Sequence, residues 1–274
     1  MRFLRIIMEG NDDMTLLIHE LKMNRKTFLI WMVCLGFSCF GCILLFESLE
    51  ESMGEMASAY AQMGTFSAAL GLDRLSVATM EGFYATEVAL MFAVGGAMFA
   101  AMTGAAIVAK EEEGHTAEFL HTLPFGRGRI IACKYAAMTV LILLFHICCI
   151  MWVIAGFGIT GRFPSREKFV LYHCAQFVMQ MEIGSLCFLL SACSKKKQIG
   201  AALGGAVLLY MMELMCRVVP DMEGLKYITP YYFSNAVDIF TEGSVDAGML
   251  AAGIVVTAIC AVASAAVYRQ RDIA

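Results

Sequence analysis

The sequence predicts an all-α integral membrane protein with six transmembrane helices. Hydrophobic residues make up 59% of its 274 residues and charged residues only 16%, and the mean hydropathy is +0.71. This apolar content exceeds that of an ordinary soluble domain. Apolar runs near or above the ~20 residues that cross a bilayer recur along the chain. Because backbone polar groups cannot stay unpaired in hydrocarbon, such runs form helices.

We predict one transmembrane domain over residues 1–274, with spans at about 28–46, 87–108, 131–157, 169–193, 199–219 and 247–268. The first 27 residues lack the apolar core and cleavage site of a signal peptide, so we expect the first span to stay as an anchor. With an even number of spans, both termini share a side. A cytoplasmic location for both places 14 of the 20 Lys and Arg residues in the cytoplasm, as the positive-inside rule favours.

An amphipathic helix precedes the first predicted span. Met14, Leu17, Ile18 and Leu21 follow helical spacing, and a basic cluster at 22–26 follows them. We favour a helix that lies in the inner membrane interface. The alternative is that this segment extends the first span into the cytoplasm.

The predicted outer loop, residues 47–86, contains six acids and one Arg. Four of the acids, Glu47, Glu50, Glu51 and Glu55, form one face at helical spacing. A cation or basic-peptide site is conceivable there, but charge runs usually face water, and we favour a solvated helix face. We expect the rest of the loop to form short helices on the outer ends of the spans.

Small residues recur at four-residue spacing in two spans. Gly96, Ala100 and Gly104 lie in span two, and Gly200 and Gly204 lie in span five. In lipid, small residues let helix backbones approach and gain packing contacts. Both stripes therefore predict tight helix interfaces, within the subunit or between subunits.

Several polar residues lie inside predicted spans and form a possible intramembrane polar site. Gln176 and Gln180 belong to a polar stripe of span four, Glu182 lies on a different face near mid-membrane, and His146 of span three has a comparable depth. An acid at that depth costs about 2.5–3.5 kcal/mol on insertion scales. Glu182 could serve a substrate or proton pathway, or be a hydrogen-bonded packing acid. Glu213, four residues before Arg217, predicts a structural ion pair.

The sequence contains none of the catalytic motifs that would suit a membrane enzyme. It lacks His-Glu-x-x-His, Gly-x-Ser-x-Gly and the phosphate loop Gly-x-x-x-x-Gly-Lys-Ser/Thr. We therefore predict no catalytic residues and no ATP site in this chain. Nearly all of the 11 cysteines fall in predicted spans, and no second Cys-x-x-Cys joins the one at 39–42, so we predict no metal. The charge pattern does not suggest nucleic acid as a partner.

Residues 109–130 form a polar segment between spans two and three. Glu111, Glu112 and Glu113 are placed to begin a short helix, where carboxylates interact favourably with free backbone N–H groups. An apolar face would follow, and Pro124 would end the helix. The face consists of Thr116, Phe119, Leu120 and Leu123. After it, Arg127, Arg129 and Lys134 are placed to meet lipid phosphates or an acidic partner.

The order of these residues resembles the ABC-2 type transporter permease family, whose cytoplasmic stretch between spans two and three reads roughly E-E-x-G-T-x-E-x-L, then P-x-S-R and a Lys. The matching residues are Glu112, Glu113, Thr116, Glu118, Leu120, Pro124, Arg127 and Lys134. His115 replaces the family's Gly, and Gly126 replaces its Ser. Further resembling stretches are HELKMNRKTFLIW, EGFYATE, SKKKQIGAALG, ITPYYF and YRQRDIA.

The resemblance implies a permease subunit that pairs with a second permease copy or a homologous permease and sits on two cytoplasmic ABC ATP-binding subunits. ATP and Mg would bind to those partners. The residues implied in partner coupling are Glu112, Glu113, Thr116, Glu118, Phe119, Leu120, Pro124 and Arg127. An exporter in the plasma membrane of a bacterium is expected. The competing hypotheses are an ion- or proton-coupled carrier, motivated by Glu182 and His146, and a membrane scaffold without transport.

Overall fold

The computed structural model describes residues 2–116 and 125–270, except 62, 65, 66, 68 and 69. Within these residues six helices are long and apolar enough to cross a membrane, which confirms the predicted six-span helical fold. They are α1 (Arg2–Ala61), α2 (Met80–Ile107), α4 (Arg127–Thr160), α5 (Arg166–Cys193), α6 (Ile199–Val218) and α8 (Ala247–Gln270). Among the described residues two short α-helices lie between them, α3 (Lys110–Glu113) and α7 (Ala236–Glu242), together with a 3-10 helix, Pro220–Tyr227. Following the predicted topology, we call the end of the bundle near α3 the inner end and the end near α7 the outer end.

The first helix differs from its prediction at both ends. Arg2–Ala61 is one helix, and its membrane-crossing part is Met14–Leu49, so the expected interfacial helix is not a separate element. The alternative, in which the amphipathic segment extends the first span, describes the structure. No proline interrupts these residues, because all four prolines of the chain lie between the membrane-crossing helices. At 1.5 Å per residue α1 is roughly 90 Å long and exceeds the bilayer thickness.

The predicted outer loop is shorter in the structure than residues 47–86. Residues 47–61 continue α1, and α2 already begins at Met80. Thr79 caps this start, since its hydroxyl accepts a hydrogen bond from the Gly82 N–H at 3.1 Å. A π-helical turn, Tyr84–Val88, separates the first turn of α2 from its regular part, Ala89–Ile107.

Helices α2 and α5 form the centre of the bundle, and most of their membrane-crossing residues are buried. They pack on each other, while α1 packs mainly on α4, and α8 on α5. Gly104 permits the central contact, because a Cβ built there would lie 2.3 Å from the Gly184 carbonyl oxygen of α5. The predicted tight interface of span two is thus within the subunit. A Cβ at Gly200 or Gly204 would meet no described atom within 4 Å.

The chain between α6 and α8 forms an outer cap that turns back into the bundle. A 3-10 segment, Pro220–Tyr227, leads into a stretch in which Tyr231, Phe233 and Ser234 are buried. The Thr229 hydroxyl donates to the Leu209 carbonyl of α6 at 2.7 Å. Leu209 lies nine residues before the end of α6, about 14 Å along the helix. The cap therefore reaches into the membrane-crossing part of the bundle.

The predicted ion pair between Glu213 and Arg217 is confirmed and belongs to a larger outer network. The Arg217 guanidinium also donates to Asp238 of α7 at 2.6 Å, and Arg74 pairs with the same carboxylate. Burial acts to raise the pKa of Asp238, but the two guanidinium groups outweigh it and hold that pKa below its ordinary value. This network joins α6 and α7 to the segment before α2.

Candidate functional site

The described part of the predicted coupling segment begins with the one-turn helix α3. This turn ends in a Schellman motif, in which the Thr116 N–H donates to the Glu111 carbonyl at 2.8 Å and the His115 N–H to the Glu112 carbonyl at 3.1 Å. His115 occupies the left-handed position of the motif with φ of 54°. The three glutamates therefore belong to a one-turn helix that ends at Gly114 and does not continue through Thr116. The rest of the predicted apolar face, Phe119, Leu120 and Leu123, lies outside the described residues.

Lys134 lies under this turn and is buried, with only 2% of its side chain exposed. Its ammonium group donates to Glu20 Oε1 at 2.8 Å, to Glu111 Oε1 at 2.6 Å and to the Ile107 carbonyl at 2.9 Å. Lys110 pairs with the other oxygen of Glu20. The expectation that Lys134 meets lipid phosphates or an acidic partner is wrong, because its charge is matched inside the chain.

Two further contacts attach the same turn to α5 and to the chain after it. The Ser191 hydroxyl accepts from the Val108 N–H at 3.2 Å and the Ala109 N–H at 3.0 Å. Glu113 accepts from the Lys197 backbone N–H at 2.7 Å, and this hydrogen bond lowers the pKa of the Glu113 carboxyl. We call residues 107–113 with Glu20, Lys134 and Ser191 the inner anchor. It connects α1, α2, α4 and α5.

The other predicted coupling residues lie around the inner anchor or outside the described residues. Glu112 is half-buried, and Thr116 is exposed. Arg127 begins α4, is exposed, and donates to the Arg269 carbonyl of α8 at 3.4 Å. The four remaining coupling residues fall in 117–124, outside the described residues: Glu118, Phe119, Leu120 and Pro124.

The polar residues predicted inside the spans lie in separate places. His146 Nδ1 is 3.0 Å from Gln180 Oε1, and the ring of His146 meets that of His173 edge to face at 5.4 Å between centroids. The Tyr84 hydroxyl is 2.9 Å from His173 Nε2. This buried cluster joins α2, α4 and α5. Gln176 instead donates to the Ser234 carbonyl of the outer cap at 2.8 Å.

Glu182 faces a different neighbour. A Cβ built on Gly96 of α2 would lie 2.2 Å from Gln180 Nε2, whereas a Cβ built on Gly253 of α8 would lie 2.6 Å from Glu182 Oε2. Gln180 therefore faces α2, and Glu182 faces α8. This is expected, because residues two apart on a helix point to different sides. The structure brings His146 and Gln180 together but does not place Glu182 or Gln176 with them.

The comparison with protein families agrees with this architecture. The family model described as ABC-2 family transporter protein matches residues 14–273. The chain belongs to the ABC-2 transporter family. No curated protein matches it significantly. Family membership makes this chain a multi-pass membrane component of an ABC transporter. The matched range includes the inner anchor, the intramembrane cluster and the outer cap.

Sequence reasoning missed the inner anchor of this ABC-2 family protein, although one signal was present. Lys134 is a single cation between apolar stretches, in IIACKYAAM, and such a residue must find a counter-charge if it is buried. Glu20 was the corresponding acid within the amphipathic segment before the first predicted span. The sequence alone could not pair them, since 114 positions separate the two residues.

Proposed function

We propose that this chain is the permease subunit of an exporter, driven by ATP that a separate cytoplasmic subunit binds and hydrolyses. The inner anchor is the observation that supports this proposal. It attaches the short stretch leading into residues 117–124 to four helices through charged and backbone hydrogen bonds. A partner that moves residues 117–124 would therefore pull on several membrane-crossing helices together.

The anchor is suited to transmit force because its charges are enclosed and matched. Lys134 and Lys110 face Glu20 and Glu111, and all four side chains are mostly buried. Charge-assisted hydrogen bonds are roughly twice as strong as neutral ones, so they resist separation better than apolar contacts that can slide. Displacement of α3 would thus shift α1 and α4 with it. Such a shift re-packs the bundle and changes which side of the membrane its interior faces.

The partner would supply the catalytic chemistry. This sequence has no phosphate loop to cradle ATP phosphates and bind Mg through a Ser or Thr hydroxyl. The residues we assign to partner coupling are Glu112, Glu113, Thr116, Glu118, Phe119, Leu120, Pro124 and Arg127. A second permease, either a copy of this chain or a homologous one, would complete the assembly in the plasma membrane.

The proposed topology places both termini in the cytoplasm. It follows from the excess of basic residues at the inner end, which includes Lys195, Lys196 and Lys197. Fusing alkaline phosphatase after residue 245 and after residue 274 tests it. Activity from the first fusion and none from the second is expected, and the reverse pattern would contradict the topology.

Purification of the chain together with a candidate ABC ATP-binding protein from the same organism tests the coupling role. We expect a stable complex with ATPase activity. Glu118→Arg should weaken the complex, because it reverses the charge in the segment proposed to dock. Glu167→Arg makes the same change on an exposed residue at the outer end of α5 and should leave the complex intact. If Glu118→Arg and Glu167→Arg both associate like the parent protein, the proposed docking is wrong.

The carrier hypothesis receives no support from the geometry. It depends on Glu182 and His146 acting in one pathway, and these residues face different helices. Reconstitution of the lone chain in liposomes distinguishes the two functions. Uptake driven by an ion gradient without ATP would favour a carrier, whereas the proposed permease should show none.

A further inference from the structure

A cavity of about 290 Å³ lies between α5, α8 and the outer cap. Its mouth includes Tyr227 and Ile228, whose side chains are largely exposed. Most of its wall residues are apolar, and its inner end reaches Glu182. Two other charged residues line it, Lys226 and Asp246, and Asp246 Oδ1 accepts a hydrogen bond from the Met249 N–H at 2.9 Å. The apolar wall residues include Ile228, Pro230, Phe233, Met249 and Val256. The cavity therefore runs from the outer surface toward the middle of the membrane.

The backbone that lines this cavity is irregular at membrane depth. Residues 228–235 form turns beside α6, and Thr229 bonds to the backbone of α6 well inside that helix. Non-helical backbone is tolerated at that depth only where protein covers it or where it lines an aqueous space. The segment therefore does not face lipid: part of it is covered by neighbouring protein, and part of it lines the cavity.

Glu182 is the acid at the inner end of the cavity. It lies 16 residues after the start of α5, about 24 Å along the helix. Its side chain is buried, and Oε2 has no hydrogen-bond partner among the described residues. The nearby cation at the mouth, Lys226, lies with its Nζ 5.3 Å from the centroid of the Tyr227 ring. An enclosed carboxylate oxygen without a partner is costly, and a positively charged ligand would offset that cost.

Gly253 and Phe233 shape the space around this carboxylate. A Cβ built on Gly253 would lie 2.6 Å from Glu182 Oε2 and 3.3 Å from the edge of the Phe233 ring. The absent side chain at Gly253 thus leaves room where an acid and an aromatic ring meet. An acid beside an aromatic ring is a combination that recognises organic cations when the cation lies over the face of the ring. A small hydrated metal ion would gain little from the apolar walls.

We propose that this cavity binds an organic cation with an apolar body. The charged centre lies against Glu182 and Phe233, and the apolar groups contact Pro230, Met249 and Val256. Apolar contact supplies affinity, and the carboxylate selects positive charge. The assignment of such cations as the transported substrates rests on the proposed export function, whereas binding itself does not.

Equilibrium binding to the purified chain in phosphatidylcholine nanodiscs tests the proposal without an ATPase partner. The probe is radiolabelled tetraphenylphosphonium, and empty nanodiscs measure its partition into lipid. We expect saturable binding to the protein. Binding of tetraphenylborate, an anion of the same shape, is measured in separate samples and should not be saturable, because Glu182 would repel it.

Two variants test the assigned residues. Glu182→Gln should weaken binding about tenfold or more, since it removes the charge and keeps the shape. Gly253→Ala should weaken it as well, because its methyl group occupies the space beside the carboxylate. Glu87→Gln is the matched control. It neutralises an acid that borders a different cavity, between α1 and α2, and should bind like the parent protein.

Three results would overturn the proposal: no saturable binding above empty nanodiscs, equal binding of the phosphonium and the borate, or Glu182→Gln binding like the parent. Each variant is compared only after it elutes as a single species from size exclusion. If saturable, charge-selective binding is found but no ATP-binding subunit associates, the export function fails and the cation site stands.

Discussion

Replacement of Lys134 by methionine is the sharpest test of the inner anchor. Methionine keeps an unbranched side chain of similar length but removes the charge and all three hydrogen bonds of the ammonium group. Two lysines and two glutamates balance in the anchor of the parent protein. After the substitution only Lys110 remains to match Glu20 and Glu111.

The expected loss follows from the burial of these groups. The Lys134 side chain is 2% exposed, and those of Glu20 and Glu111 are 8% and 16% exposed. Removal of one member of a buried ion pair costs about 3–5 kcal/mol, because a charge is left without a partner. For chains of somewhat smaller size each kcal/mol lowers Tm by about 2–4 °C, so we expect the apparent Tm to fall by roughly 10 °C.

The assay is the fraction of detergent-purified protein that stays monodisperse after heating, measured by size exclusion. Lys195→Met is the matched control, because Lys195 is exposed in the link between α5 and α6 and should change Tm little. The double variant Lys134→Met with Glu111→Gln should recover part of the loss, since it removes the unmatched carboxylate. Equal Tm values for Lys134→Met and Lys195→Met would refute the enclosed network.

Three other predictions concern positions where the structure determines whether a substitution raises or lowers stability. His115→Gly should raise the apparent Tm by a few degrees, because glycine relieves about 1 kcal/mol of left-handed strain at φ 54°; a lower Tm would contradict the Schellman geometry. Gly104→Ala should lower the free energy of unfolding by about 1–3 kcal/mol, because its methyl group meets the Gly184 carbonyl. Gly200→Ala is the control and should be tolerated, because its methyl group meets no described atom within 4 Å. Equal effects of the two variants in thermal unfolding would contradict the packing of α2 on α5. The lowered pKa of Asp238 means that its pairing with Arg217 and Arg74 stabilises the fold fully above its ordinary pKa of 3.8 and that this contribution is lost as pH falls through the lower folded-state pKa. The Tm of Asp238→Asn should therefore fall less than the Tm of the parent protein when the pH is lowered from about 5 to about 3. Equal decreases in the two Tm values would show that this carboxylate is not the group that titrates.

Local sequence signals predicted the helices well where the apolar runs were long. The six spans follow from run length and from the requirement that every backbone group in hydrocarbon be paired. The ion pair between Glu213 and Arg217 was predictable because both residues lie on one helix at a spacing of four. The ends of α1 were not, since a helix continues past the apolar run whenever no proline or competing contact stops it.

The placement of the candidate site residues was less predictable because it depends on contacts between distant segments. Spacing within α5 could show that Gln180 and Glu182 face different sides, but not which helix each one meets. The partner of Gln180 is His146 of α4, and the neighbour of Glu182 is Gly253 of α8. The cavity beside Glu182 exists because the outer cap turns back into the bundle, and no periodicity in the sequence predicts that turn.

The sequence by itself determined that this chain is a six-span helical membrane protein of the ABC-2 type, because hydrophobic length and the order of its polar motifs are local properties. Only the tertiary structure decided what its buried charges do. The polar segment after span two is held at its base by Lys134, which bonds to Glu111 of that segment and to Glu20 of α1. Glu182, in contrast, lies beside a cavity, and its Oε2 has no hydrogen-bond partner among the described residues. The physical reason is that the cost of a buried charge depends on which distant group reaches it, and folding alone brings those groups together.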